Sequence, residues 1–186
     1  MTIDVLSRLS EFPTLVSSSV RLRRLGYKDI PIIARLVTAE VVRYLMDVPY
    51  PYKMVDAKRF IDKSRRNFKA KKELNFAIDS VSTRTLVGII SLHKIDQINN
   101  SGQISYWLGQ NYWNIGIATE SIRLVIRYAF NVLRLHKIYA NVFDSNKASV
   151  RVLEKNHLRK EGGLIDSVFK QRKYHNILLY YRLNYR

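Results

Sequence analysis

Residues 104–156 read ISYWLGQNYWNIGIATESIRLVIRYAFNVLRLHKIYANVFDSNKASVRVLEKN. The branched and aromatic run from Ile104 to Leu108 predicts a strand, and Gly109 with the polar-aromatic residues after it predicts a loop. Gly116-Ile117-Ala118-Thr119 then opens a helix. Its apolar residues Ile122, Val125, Ile126, Ala129, Phe130 and Leu133 fall at the helical period, with Arg123, Arg127 and Asn131 opposite. A second strand is expected over Lys137 to Phe143, and Asp144-Ser145-Asn146 caps a further helix. A strand, a glycine loop and a helix start together offer free backbone N–H groups and the positive end of a helix dipole to a phosphate. This stretch is the expected site, and the rest of the chain builds its floor and walls.

Working outward toward the N-terminus, Met1 to Glu11 has weak helical character, and Phe12 to Ser19 reads as an extended lead-in. Val20 to Leu25 alternates apolar and basic residues and predicts a strand with one wet face. Asp29 is placed to cap a helix with Pro31 in its first turn and Ile32, Ile33, Leu36 and Val37 as its buried stripe. Prolines at 49 and 51 break the chain. Asp56 starts a second helix, with Ala57, Phe60, Ile61, Ser64 and Phe68 on one face and Lys58, Arg59, Arg65, Arg66, Lys69 and Lys72 on the others. Strands follow over Leu74 to Asp79 and Leu86 to Ile95, the latter apolar enough to be buried on both faces. Asn99 to Gly102 turns into Gln103 to Leu108. Toward the C-terminus, Arg159 to Gly163 and Gln171 to Leu183 read as a closing hairpin. The order of elements indicates one α+β (mixed α/β) domain over residues 1–186, built on a single central sheet.

The chain has no cysteine, so disulfides, thiolate metal sites and a cysteine nucleophile are excluded. Its four histidines lack metal-ligand spacing, and no metal is expected. No membrane-spanning run and no secretory signal is read, so the expected location is cytoplasmic. The net charge of +17 favours anionic partners: a phosphorylated cofactor, RNA or an RNA-rich particle, or an acidic protein.

With these residues in place, the chain resembles the GNAT superfamily of N-acetyltransferases, and within it the RimJ/RimL-like branch that acetylates ribosomal-protein N-termini. FPTL (12–15), VRLRRL (20–25), VVRYLMDVPYPY (41–52), LVGIISL (86–92), ISYWLGQNYWNIGIATES (104–121), LHKIYANVFDSNKASVRVLEKN (135–156) and YHNILLYYRL (174–183) follow in the family's order. The resemblance implies a twisted, mostly antiparallel central sheet, splayed in the middle and flanked by helices, with acetyl-CoA as co-substrate in the split. It implies that the backbone of Trp113, Asn114, Ile115, Gly116, Ile117, Ala118 and Thr119 cradles the pyrophosphate. Asn146 is implied to contact the cofactor arm, while the N–H groups around Tyr106 to Leu108 polarise the thioester carbonyl. Ser149 is implied to protonate the leaving thiolate. Lys147, Arg151 and Lys155 form a basic stripe that either meets CoA phosphates or is a solvated face.

Two departures bear on chemistry. Gln103 stands where the branch often has a glutamate, a candidate general base facing the acceptor, and Asn176 stands where an aspartate is common. A neutral amide cannot take a proton from an ammonium. Glu161, Asp166 or a chain of waters is then left for that task. An acceptor α-amine, with a pKa near 8, also makes a strong base less necessary. Tyr44, Tyr50, Tyr52 and Trp107 are candidates for an acceptor slot. The expected reaction is direct acetyl transfer to a primary amine, most of all a protein N-terminal α-amine. The basic helix over residues 58–72 would contact a ribosome or RNA surface, and the protein would be a monomer or homodimer. The alternative is a non-catalytic RNA- or particle-associated protein that keeps the fold.

Overall fold

A computed structural model describes residues 11–185. The helical tendency expected for Met1 to Glu11 lies outside them except for Glu11. The strands are β1 (Leu15–Val16), β2 (Val20–Arg24), β3 (Leu74–Ser80), β4 (Leu86–Asp96), β5 (Ser101–Leu108), β6 (Lys137–Phe143), β7 (Arg159–Lys170) and β8 (Lys173–Leu183). The helices are α1 (Ile30–Leu36), α2 (Ala39–Val42), α3 (Met54–Lys69), α4 (Ile117–Asn131) and α5 (Lys147–Lys155). The strands form one sheet in the order β1-β2-β3-β4-β5-β6-β8-β7. Every neighbouring pair is antiparallel except β5 and β6, which α4 joins as a parallel crossover.

Alternation along the strands divides the core in two. Leu74, Phe76 and Ile78 of β3, Ile90 and Leu92 of β4, and Ile104 and Leu108 of β5 pack with the apolar stripe of α4 and with Leu153 of α5. Ala77 and Ile89 point to the opposite face and pack with Ile33 of α1 and with Ala57 and Ile61 of α3. The expected stripe of α4 is the observed one: Ile122, Val125, Ile126, Ala129 and Phe130 are all buried.

Several expectations are corrected. Asp29 makes no capping bond to α1. Its carboxylate is buried and accepts the Gly26 N–H (2.8 Å) and N–H groups of the two terminal guanidinium nitrogens of Arg23 (2.8 and 2.9 Å). Arg23 also reaches Asp79 on β3 (2.7 and 3.0 Å), so one cation clamps two carboxylates. These bonds hold the Arg23 guanidinium protonated well beyond its ordinary range, against the opposing pull of burial. Helix α3 begins at Met54, and Asp56 serves it from the third position by accepting the Lys53 N–H (2.9 Å). Strand β4 is buried on both faces only from Leu86 to Ile90. Strand β7 runs on to Lys170, well past Gly163. The short helix α2 was not anticipated, because its four residues are too few to show a period.

Candidate active site

Strands β5 and β6 pair over only three positions, Ser101↔Lys137, Gly102↔Ile138 and Gln103↔Tyr139. Beyond Gln103 they separate, while β6 stays paired to β8 from Lys137↔Leu183 to Phe143↔Ile177. The far half of β5 thus has a partner on one side only. The Gly109 N–H donates to Val87 of β4 (2.9 Å). Because backbone groups alternate in direction along a strand, Tyr106 and Leu108 point their N–H and C=O groups the other way, into the split.

The loop closing the wide end of the split folds back on β5. The Trp113 indole N–H donates to the Leu108 carbonyl (2.9 Å). Asn114 (φ 62°) and Gly116 (φ 87°) both adopt the left-handed backbone conformation. A Cβ on Gly116 would meet nothing within 4 Å, so the glycine is required by its dihedral and leaves open space above it. Among the described residues, the N–H groups of Asn114 through Thr119 have no protein acceptor; the first amide of the turn to bond is Glu120, to the Gly116 carbonyl (3.0 Å). No side chain caps α4. The loop therefore presents consecutive donors at the positive end of a 15-residue helix.

On the other bank, Asn146 caps α5 by accepting the Ser149 N–H (3.1 Å). This fixes Ser149, whose hydroxyl lies 2.7 Å from the Tyr106 hydroxyl. The Tyr106–Ser149 pair bridges β5 and α5 where the strands have parted. Burial pushes the Tyr106 hydroxyl up to about 12, partly offset by the Ser149 hydrogen bond, so it stays protonated at neutral pH and can donate.

The remaining sequence candidates divide. Gln103, the last β5 residue paired to β6, is buried at the vertex of the split. Trp107 and Tyr52 pack on the same apolar cluster beside α1 and α3, whereas Tyr50 stands in solvent. Burial, with the Asp56 charge adding to it, pushes the Tyr52 hydroxyl up to about 12. Asn176 is a brace: its amide N–H donates to Asp144 (3.2 Å) and its amide oxygen accepts the Asp166 N–H (2.9 Å). An aspartate there would set two carboxylates against each other, so this departure reflects local packing and says nothing against catalysis. Glu161 is held by Lys137 (2.5 Å) at the paired end of β6, away from the split. The Lys170 ammonium bonds the Leu45 carbonyl and so ties the β7–β8 hairpin to the loop after α2. Sequence reasoning missed both this strap and the Tyr106–Ser149 pair, which join residues 125 and 43 positions apart.

Helix α4, the end of α5 and the end of β8 border a cavity of about 400 Å³ lined by Arg123, Arg127, Phe130, Lys155 and Arg182, among others. Asn156 connects it to the first turn of α4 by donating to the Thr119 carbonyl (3.1 Å). Of the basic stripe on α5, Lys155 lines this cationic hollow while staying exposed to solvent. Among the described residues, no group of three or more His, Asp or Glu side chains could hold a metal ion, and no helix is long and apolar enough to cross a membrane.

A sheet split after three parallel pairs, with an amide-lined loop at its mouth, is the architecture that the GNAT resemblance implies. Residues 19–159 match the acetyltransferase (GNAT) domain family. The chain belongs to that family. It is 31% identical over 166 residues to the uncharacterized N-acetyltransferase YoaA of Bacillus subtilis (strain 168), covering 89% of this chain and 90% of that one. It is 26% identical over 161 residues to the spermidine N(1)-acetyltransferase of Escherichia coli (strain K12), covering 86% and 83% of the two chains. The fold superposes on the ribosomal L7/L12 α-N-protein acetyltransferase RimL, solved with coenzyme A, with a TM-score of 0.83 and 21% identity, covering 92% of this chain and 98% of that one. The protein is thus a GNAT N-acetyltransferase, with acetyl-CoA as its acetyl donor. The non-catalytic alternative loses one of its two supports, since Asn176 has a structural role.

Proposed function

We propose that this N-acetyltransferase acetylates a protein N-terminal α-amine, of the kind ribosomal proteins present. The observation that carries this reading is that β5, the strand bordering the split, offers Gln103 and Ser105 rather than carboxylates, in a chain of net charge +17. Polyamines carry several positive charges and need acidic side chains to hold them; this surface repels them. An α-amine has a pKa near 8 and brings at most one charge to the vertex.

Acetyl-CoA supplies the thioester when bound. The N–H groups of Asn114 through Thr119 hold its pyrophosphate, and Lys155 with Arg123 and Arg127 faces its nucleotide end. Leu108 and Tyr106 direct backbone N–H groups at the thioester oxygen, where negative charge develops as the amine attacks. A C–N bond forms and the C–S bond breaks. The Tyr106 hydroxyl, held by Ser149, gives its proton to the departing sulfur. Trp107, Gln103 and the exposed Tyr50 line the approach of the acceptor. Most of the rate comes from holding the two reactants in one cleft.

The exposed face of α3, with Lys58, Arg59, Lys63, Arg66 and Lys69, suits contact with ribosomal RNA. Such binding weakens steeply with salt, with a log–log slope of roughly −0.9 per phosphate neutralised. Acetyl transfer assayed in parallel on N-terminal peptides of ribosomal proteins and on spermidine tests the acceptor. A kcat/KM for a peptide well above that for spermidine is expected; a preference for spermidine would overturn the reading.

A further inference from the structure

The sheet face away from α4 and α5 changes character along its length. At one end Ala77, Ile89 and Trp107 pack beneath α1 and α3. At the other end the same face carries Glu73, Asn75, Ser91, His93, Gln103 and Ser105, a polar band across three central strands. Half of the band is satisfied: Ser91 donates to Asn75 (2.5 Å), and Asn75 donates to Glu73 (2.7 Å). The other half is not. His93 Nε2 and Gln103 Oε1 are both buried and lack a hydrogen-bond partner. Buried orphans of this kind are rare and costly, and call for an explanation.

The two orphans belong to directly opposed residues, His93 of β4 and Gln103 of β5. Opposed side chains stand on the same face with Cβ atoms roughly 5 Å apart. A small rotation lets Nε2–H donate to Oε1 and satisfies both groups at once. Only the tautomer protonated at Nε2 can do this, which leaves Nδ1 with a free lone pair. His93 is only partly buried, so its ring also has an edge outside the core. Gln103 is the residue after which β5 and β6 part, so the pair sits at the vertex of the split, on the face opposite Tyr106 and Ser149.

We propose that His93 is the proton acceptor for the attacking amine, and that Gln103 is a positioning residue that fixes the His93 tautomer. This rests on the acetyl-transfer reading above and answers the question Gln103 raises, since the amide orients a base and is not itself one. The step balances. The acceptor ammonium gives one proton to Nδ1, the neutral amine forms the C–N bond as the C–S bond breaks, and the sulfur receives the Tyr106 proton. His93 later returns its proton to solvent, and Tyr106 regains one.

The electrostatic setting is consistent with this role. Burial lowers the His93 pKa from its ordinary value, the Lys94 charge lowers it further, and the Glu73 charge opposes both. Tyr139, which faces Gln103 from β6, has its hydroxyl pushed up by burial and is neutral in this range. His93 is therefore an unprotonated base at pH 7. A carboxylate in place of Gln103 would retain a proton on the imidazole.

The test is the pH profile of kcat/KM with an N-terminal peptide for wild type, His93→Gln and Gln103→Glu. The His93 ring is titrated by NMR in the absence of acetyl-CoA, and acetyl-CoA affinity is measured for each protein. Wild type should lose rate as pH falls below the ordinary histidine range. His93→Gln should lose about 100-fold at pH 7. It should instead gain rate up to the amine's own pKa near 8, with acetyl-CoA affinity unchanged. Gln103→Glu should raise both the ring titration and the acidic limb together. A His93→Gln protein with wild-type kcat and an unchanged acidic limb would overturn the proposal. So would a ring titration that Gln103→Glu leaves in place, and this result stands even if His93→Gln fails to fold. If wild type acetylates no amine, the acetyl-transfer reading has failed, and the ring titration still decides whether the two side chains are paired.

Discussion

Strand β6 has two neighbours and treats them differently. With β8 it keeps an unbroken antiparallel register from Lys137 to Phe143; with β5 it pairs at three positions and then parts. On the closed flank of the sheet, polar groups find partners inside the protein, as where Arg23 spans Asp29 and Asp79. Along the split, backbone amides of β5 and of the loop before α4 are left for something else to fill. Unmade pairing in a sheet costs stability, so where it persists beside a built set of donors it marks the place where a ligand completes the structure. The two regions should respond to substitution in opposite ways.

On the closed flank, Arg23→Ala strips one cation from two largely buried carboxylates. It should lower stability by about 3–5 kcal/mol, read by chemical denaturation, with activity per folded molecule retained. At the split, Gly116→Val forces a β-branched residue into a left-handed conformation and disturbs the amide cradle. Steady-state kinetics should show kcat/KM falling about 100-fold, in the range set by loss of an aimed donor. The melting temperature should change far less than for Arg23→Ala. Tyr106→Phe removes a proton donor and keeps the ring packed, so a loss in kcat of about tenfold or more is expected with KM for acetyl-CoA near wild type. Because the Tyr106 pKa lies at about 12, its hydroxyl stays protonated as pH rises from 6 to 10, and this residue should add no basic limb over that range. The smallest effect is expected where the two regions meet. Asn146→Ala removes the cap of α5 and should cost about 1 kcal/mol of stability. It should also loosen Ser149, seen as a modest fall in kcat.

Much of the architecture was legible because it rests on local pattern. The period of α4, the alternation in β2 and the glycine opening the α4 loop each carry a signal within a dozen residues. The branch point was not legible in the same way. How far β5 follows β6 depends on how β6 meets β8, a pairing between residues some forty positions apart in sequence. Asp29 shows the limit of reading a polar residue from its neighbours: the sequence places it as a cap, and Arg23 and Asp79 turn it into a buried ion pair. His93 and Gln103 look unrelated until the β4–β5 register sets them opposite each other, and a bulge between His93 and Asp96 shifts that register after them. The exchange of acid for amide at Gln103 was visible at once, but its meaning depended on the residue across the strand.

The central claim is that the β5–β6 split and the loop 113–119 form one acetyl-CoA site. Calorimetric titration of the wild-type protein with acetyl-CoA, with Gly116→Val in parallel, tests it most directly. Micromolar binding by wild type, strongly weakened in the variant, is the predicted result. Absence of wild-type binding at millimolar acetyl-CoA, or equal binding by a folded Gly116→Val protein, would contradict it.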